Sequence, residues 1–524
     1  LVAALVAVVA CLTGVGIASQ AQFKSRTELV TVDATVLDRN GTPAPGLAAE
    51  DFEVEINGRR QPVQTVAFLR VDSGEPGPPA GASPSAPSAG IRASRLFVLV
   101  FDDLSIVAGE GRDLLVAAEQ FVRRLPPTDL VAYTTTGGTT VVNPTFDREP
   151  IVKALRGAVG NGWDPRRASG EQVNVGIVES LDIARGRRDI LADAITRECY
   201  GGNSATVSRL GVESVVASVA CGRQVDSLAR MTAAHAATAA RQQVFATAAT
   251  IRAIGVVGGI KQLVLLTRGI ASDRDGTDLV PIAVAASQAG VQLTVLREEQ
   301  DAVDLMKRLP TAAQVNRMDD RSLSSLSRLL ADMSGGEFYN VIGDGNRFFD
   351  YVLRASNGIY RLGVVLPSGL EAGRDLNVRV RVKRSGLTVR ASHRSLVPAA
   401  AAAMTVEDRL RAVLKSGEVL TSVGVQLGTA VGTTTEGQLA LVVRTVLTDP
   451  APGSITAAIG IIDAEGALRS ALKTETPANG DSAVRRFDYR MPIAPGRYIV
   501  RVAIADSKGA TGSAETRVVT PGAR

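Results

Sequence analysis

The chain has 524 residues, a formal net charge of +5, and 45% hydrophobic against 21% charged residues. That length argues for about three or four domains, and the composition excludes wholesale disorder. Two histidines and three cysteines are too few for a Cys/His zinc site and confine any catalytic triad to His235 or His393, while so small a positive excess does not point to nucleic acid, whose binders gather Lys and Arg on one face.

Residues 1–18 are apolar and almost uncharged, and Ser19-Gln20-Ala21 follows with small residues at −3 and −1 of a cut before Gln22. Residues 1–21 therefore read as a secretory signal peptide. A transmembrane anchor is the alternative, but the run is at the short end for a span and no basic stop-transfer follows. A lipoprotein signal through Val8-Val9-Ala10-Cys11 ranks below export, because the apolar stretch continues past Cys11. The expected location is periplasmic, cell-surface or secreted, with no membrane span after cleavage. Processing then leaves Cys199 and Cys221, an even pair that reads as a disulfide in an oxidising compartment. It would close a loop of about 20 residues, worth roughly 3 kcal/mol in the chain-entropy model.

Residues 28–71 alternate apolar and polar at Val30, Val32, Ala34 and Val36 and again at Phe52, Val54 and Ile56, with turns at Asp38–Gly41 and Asn57-Gly58. This β segment is too short for a core of its own. Residues 72–94 are Pro, Gly, Ala and Ser and read as a linker. From 95 to 358 the pattern alternates strands and helices. Strands are expected at 96–101, 130–134, 139–143, 263–267, 291–296 and 338–341, and helices at 112–125, 147–158, 321–333 and 347–355. Between about 160 and 258 lies a helical insertion, with long helices expected over 175–197 and 226–254. Residues 360–397 return to β, and are expected to pair with 28–71 into one composite sandwich, Val32 and Val36 facing Val378, Val380 and Val382. A short helix and linker cover 398–425. Residues 426–520 carry about seven short strands with regular turns, the pattern of an immunoglobulin-like sandwich.

Several stretches together resemble the bacterial VWFA-related proteins, a family built on the von Willebrand factor A domain. They are VTVDATVLDRNGTPAPGLAAEDF at 30–52, FVLVFDDLS at 97–105, LLADMSGGEFYNV at 329–341, and GIYRLGVVL followed by VRVRVKRSGLTVRA at 358–391. The resemblance covers roughly residues 28–400. It implies a doubly wound Rossmann-like A domain, with a divalent cation held after the first strand by a D-x-S-x-S motif, whose carboxylate and hydroxyls suit Mg²⁺.

Here Asp102 fills the first position, but Leu104 and Ile106 stand at the serine positions. Asp103 and Ser105 offer a shifted, incomplete set, Arg268 stands where a later Asp is expected, and Ser169 is a candidate for the missing Thr. The expectation is a degenerate adhesion site of Asp102, Asp103 and Ser105 that binds Mg²⁺ weakly or not at all. The metal-free alternative has Asp102 and Asp103 capping a helix or pairing with Arg268. Asp102, Asp103, Ser105 and Arg268 form the expected partner-binding top face.

Asp273, Asp275 and Asp278 have calcium-loop-like spacing, but Gly276 comes too early and no Glu closes the loop, so a solvated loop is expected. The basic row Arg379, Arg381, Lys383 and Arg384 reads as the wet face of an amphipathic strand. His235 and His393 have no acidic or cysteine neighbour, and no phosphate loop, dinucleotide fingerprint or nucleophile elbow occurs. The sequence thus points to an exported, non-enzymatic binding or scaffold protein without a cofactor, presenting its top face to a protein or glycan. The alternatives are a peptidase-like hydrolase with the insertion as a lid, or a purely structural envelope component.

Overall fold

The computed structural model describes residues 29–520 apart from 72–90, 171–172, 201–211, 256, 273–275, 300–309, 368–369, 372, 398–405, 417–419, 421–422, 434–437, 449–453, 464–467, 477–483 and 508–510. The expected signal peptide with Cys11, most of the expected 72–94 linker, Asp273, Asp275 and the expected Asn479-Gly480 turn lie outside the described residues. No described helix is long and apolar enough to cross a membrane.

The chain is a multidomain α/β plus β protein. In the first β unit, Leu29–Leu37 pairs antiparallel with Gly358–Val365, which pairs in turn with Val63–Val71. A second sheet joins Phe52–Ile56 to Asp375–Val382. Both sheets therefore contain strands from either side of the α/β unit. Val30, Val32, Ala34 and Val36 share one core with Val54, Ile56, Leu362 and Val378, and the half-buried Val380 and Val382 pack at its edge. Alternation along each strand puts one face inside, so neither segment needs a core of its own. The linker is shorter than expected, because Ile91–Ala93 already pairs with Val63–Val71.

The α/β unit holds a six-stranded sheet in the order Phe338–Val341, Val291–Glu298, Ile260–Thr267, Arg95–Phe101, Leu130–Thr135, Val141–Thr145. All pairs are parallel except the last. Arg95–Phe101 and Ile260–Thr267 are buried along their whole length, as continuous apolar runs between two helical layers require. Helices Arg112–Arg124, Glu149–Gly157 and Asn346–Ala355 cover one face, and Val280–Ala289 with parts of Val212–Ile254 and Pro310–Met333 the other. The expected 139–143 strand lies at Val141–Thr145, because the turn through Gly137-Gly138 is longer than the spacing suggested. It is an edge strand, which is why it tolerates Pro144.

The insertion departs from the expected pair of long helices. Residues 175–197 form two helices, Ile177–Ala184 and Arg188–Tyr200, broken at Gly186 with φ 91°, a conformation that suits glycine. The second helix is longer than expected, a 43-residue rod over Val212–Ile254. Its first half packs Val225, Leu228 and Ala229 against Val175, Ile183 and Ala194. Its second half packs Ala248, Ile251 and Ile254 into the core against the sheet. Cys199 and Cys221 are disulfide-bonded and tie Arg188–Tyr200 to the rod.

The C-terminal unit stacks a three-stranded sheet on a four-stranded one. Helix Val406–Ser416 belongs to this unit rather than to a linker, since Leu410, Val413 and Leu414 pack on Ala458, Ala503 and Ala505. Both β units attach at the end of the parallel sheet where its strands begin. Ile359 and Leu69 meet Ile260, and the Arg517 guanidinium donates to the Thr128 carbonyl. The opposite end, where the parallel strands finish, is left to the insertion.

Candidate functional site

Strands Arg95–Phe101 and Ile260–Thr267 are neighbours whose connections run to opposite sides of the sheet. Open α/β sheets bind ligands outside the carboxyl ends of their strands at such a switch point. Asp102 and Asp103 follow the first of these strands, Thr267 ends the second, and Thr136 follows Leu130–Thr135. Three strand ends thus converge on one carboxylate.

Asp102 is fully buried. Its Oδ1 accepts from the Thr136 hydroxyl at 2.7 Å, and its Oδ2 from Ser105 at 2.6 Å and Thr267 at 2.5 Å. The Ser105 and Thr267 oxygens each accept a backbone N–H, from Arg268 at 3.0 Å and Gly269 at 2.7 Å. Those contacts orient the hydroxyls so that their single hydrogens point at Asp102. The last donor comes from the insertion: Gln243 Nε2 stands 3.0 Å from Oδ1 and 2.8 Å from Oδ2. Burial raises the Asp102 carboxyl above its ordinary value, and the four side-chain donors offset only part of that rise.

A divalent cation here would need free lone pairs on Asp102. An ionised carboxylate offers about four acceptor sites, and three hydroxyls plus an amide nitrogen facing both oxygens already fill them. Both Asp102 oxygens are thus engaged by the chain's own donors in this arrangement. Among the described residues, no group of three or more His, Cys, Asp or Glu could hold a metal ion.

Asp103 shares the Thr136 hydroxyl, 3.1 Å from its Oδ1, and otherwise holds the loop that leads into the insertion. It accepts from the Gly137 N–H at 2.7 Å and from Asn161 Nδ2 at 3.3 Å, and its carbonyl accepts the Asn161 N–H at 2.6 Å. The glycines around Asn161 allow this approach, since a Cβ on Gly160 would stand 2.1 Å from the Ile106 carbonyl oxygen. Arg268 does not pair with Asp102 or Asp103. Its guanidinium reaches Glu110 at 2.8 Å, because the Arg268 side chain leaves the strand end beyond the buried carboxylate. Ser169 bonds the Val173 carbonyl at 2.8 Å within the insertion, so Thr136 and Thr267 supply the hydroxyls instead.

Above this cluster lies a cleft of about 630 Å³ between the strand ends and the insertion. Its walls include Ser105, Trp163, His235, Gln243, Arg268 and Asp319. Trp163 lies parallel to His235 with ring centroids 3.9 Å apart, and its indole N–H donates to Thr232 at 3.2 Å. At the other wall Asp319, on Pro310–Met333, accepts the N–H groups of Ile177 at 2.7 Å and Val178 at 2.9 Å. This carboxylate caps the first turn of Ile177–Ala184 and ties the insertion to the sheet layer.

Burial raises the Asp319 carboxyl to about 6, against the lowering effect of those two N–H groups, and Glu179 adds to the rise. A carboxyl raised above its unfolded value binds its proton more tightly in the folded chain, so it detracts from stability above pH 6 and ceases to do so as pH falls toward 4. Thermal unfolding of Asp319→Asn and the parent at pH 7.5 and pH 5 checks this. Asparagine should gain relative to the parent at pH 7.5, and the gain should shrink at pH 5. A difference independent of pH would contradict it.

Sequence reasoning singled out Asp102, Asp103, Ser105 and Arg268, and the structure places all four at the top of the sheet. It missed Thr136, Thr267 and Gln243. Thr136 and Thr267 were findable as hydroxyls two positions past and at the end of expected strands. Gln243 carried no signal, being one glutamine on an Ala- and Thr-rich helix. The basic row Arg379, Arg381 and Arg384 is exposed and faces Glu55 and Asp51, while Lys383 reaches the Glu50 carbonyl.

No family model and no curated protein matches the chain. Among solved structures it is similar to Northeast Structural Genomics Consortium target SoR45, at 16% identity over 20% of this chain and 92% of that one, with a TM-score of 0.15. A Bordetella pertussis structural-genomics target, BeR40, matches at 12% identity over 19% of this chain and 96% of that one, also at 0.15. Dimeric latent PorU from Porphyromonas gingivalis matches at 12% identity over 31% of this chain and 13% of that one, again at 0.15. Scores this low carry no argument about fold or function.

Proposed function

We propose that this is an exported, non-enzymatic binding protein of the von Willebrand A type, which takes its ligand in the top-face cleft without a cation. The sheet order, with its antiparallel edge strand and its switch point beside Asp102, supports the domain type. The disulfide suits an oxidising compartment. The observation that carries the cation-independent reading is the contact of Gln243 with both Asp102 oxygens. It satisfies the buried carboxylate from within the chain and leaves the neighbouring cleft as the recognition surface. The two β units hold the opposite end of the sheet and act as a stalk.

The test is capture of envelope components on the immobilised full chain, with and without EDTA, beside the variant Ala236→Trp, whose added ring would fill the cleft. The proposal expects capture that survives EDTA and is lost in the variant. Capture abolished by EDTA, or unchanged in the variant, would overturn it.

A further inference from the structure

The cleft has a chemistry of its own. Its 630 Å³ lies within the roughly 300–1,000 Å³ common for small-ligand sites. The charges around it are already answered. Arg268 pairs with Glu110, Arg167 with Asp164 at 3.5 Å, and Asp320 with Arg297, while Asp319 is held by two backbone N–H groups. An anionic ligand would therefore have to compete with a pair already made at Arg268 or Arg167, and a cationic one would meet at Asp319 a carboxyl already accepting two N–H groups and raised to about 6 by burial. The uncharged remainder is an aromatic wall, Trp163 backed by His235, with the amides of Asn161 and Gln242 and the hydroxyl of Thr238.

Aromatic rings offer a flat apolar face, and amides and hydroxyls offer donors and acceptors in nearly equal number. That combination matches a ligand with apolar C–H faces and many hydroxyls. A peptide in extended form would want a free strand edge. The sheet's edge strands, Val141–Thr145 and Phe338–Val341, contribute nothing to the cleft.

We infer that the cleft between the insertion and the strand ends binds a neutral, hydroxyl-rich ligand of the saccharide class, with Trp163 as its stacking platform. The inference rests on reading the cleft as the binding site, and it narrows the ligand to one class. Thr232 fixes the indole in its plane through the Nε1–H contact. The 163–168 segment that carries Trp163 is anchored through Asn161 to Asp103, so the platform is positioned by the same strand end that holds Asp102.

Trp163 is the only tryptophan of the chain, so its emission reports on the cleft directly. The full chain would be titrated with cellotriose, maltotriose and tri-N-acetylchitotriose. Trialanine, trilysine and triglutamate serve as neutral, cationic and anionic controls. Emission and acrylamide quenching are read for the parent. Calorimetry is read for the parent, Trp163→Phe and Trp163→Ala, with circular dichroism as the check on folding. The expected result is a saturable emission change and shielding from acrylamide with at least one trisaccharide. Affinity should fall at least about tenfold in Trp163→Ala, with Trp163→Phe between the two. Binding of a peptide control but no trisaccharide would overturn the saccharide assignment and leave the cleft as a binding site. No binding by any probe, alongside EDTA-resistant capture that Ala236→Trp abolishes, would likewise overturn only the ligand class. Trisaccharide binding that is unchanged in a folded Trp163→Ala would place the ligand elsewhere and overturn the inference.

Discussion

Asp102→Ala is expected to destabilise the α/β unit by about 3–5 kcal/mol, since a buried donor left without its acceptor costs about 1–3 kcal/mol. The substitution removes the acceptor of the Gln243 amide and breaks the shared acceptor of Ser105 and Thr267. Thr136 keeps Asp103 Oδ1 at 3.1 Å, and Ser105 keeps the Asp102 carbonyl at 3.3 Å and the Thr267 hydroxyl at 3.1 Å, so the loss falls mainly on Gln243 and Thr267. Urea unfolding followed by Trp163 emission measures the loss. A change of less than about 0.5 kcal/mol, the size expected of an ordinary surface site, would show that the network is not closed as described. The loss should also release the rod, because Gln243 is its polar contact with the strand end. Hydrogen exchange should therefore rise around 240–247 before it rises in Arg95–Phe101.

A second large effect belongs to the opposite end of the sheet. Arg95 opens the first parallel strand and is 2% exposed, and arginine is rarely so buried unless it is paired. Its guanidinium pairs with the wholly buried Asp129 at 2.5 Å and donates to Asn357 at 2.8 Å and Ser356 at 3.1 Å. Those last two residues lie between the final helix of the α/β unit and the strand that returns to the first β unit. Arg517 of the C-terminal unit approaches Asp129 at 3.9 Å from the other side. One ion pair therefore sits where all three units meet. Removing one partner of such a pair typically costs about 3–5 kcal/mol, because the other charge stays buried, whereas replacing both with apolar residues is often nearly neutral. Arg95→Met should accordingly cost that much, and Arg95→Met with Asp129→Leu should recover most of it. Chemical unfolding of the two single variants and the double variant forms the cycle. Additive losses would mean that the pair does not act as a unit.

The fold was legible where burial is continuous or strictly alternating. The apolar run at 96–101 could only be a strand covered on both faces, and Val30, Val32, Ala34 and Val36 could only be one face of a sheet. Helix lengths were less legible, because a single Gly186 splits one expected helix while the rod continues through residues with no amphipathic stripe of their own. For the site, the acidic pair after the first strand was visible as an interrupted metal motif. The donors that close around Asp102 were not. Gln243 lies 141 positions from Asp102 in sequence, and a neutral amide on a helix gives no pattern until the helix is docked. Arg268 looked like a counter-charge for Asp102 because its position was known and its direction was not. Glu110, two residues before the next helix, takes it instead.

The central claim is that the top-face carboxylate is satisfied by the protein's own donors. Titration calorimetry of Mg²⁺ and Mn²⁺ into the chelator-treated full chain tests it most directly. No saturable heat is expected up to millimolar ion, since hard cations need several oxygen ligands with free lone pairs and protein donors already engage both Asp102 oxygens. A micromolar dissociation constant, lost in Asp102→Asn, would contradict it and return the site to a cation.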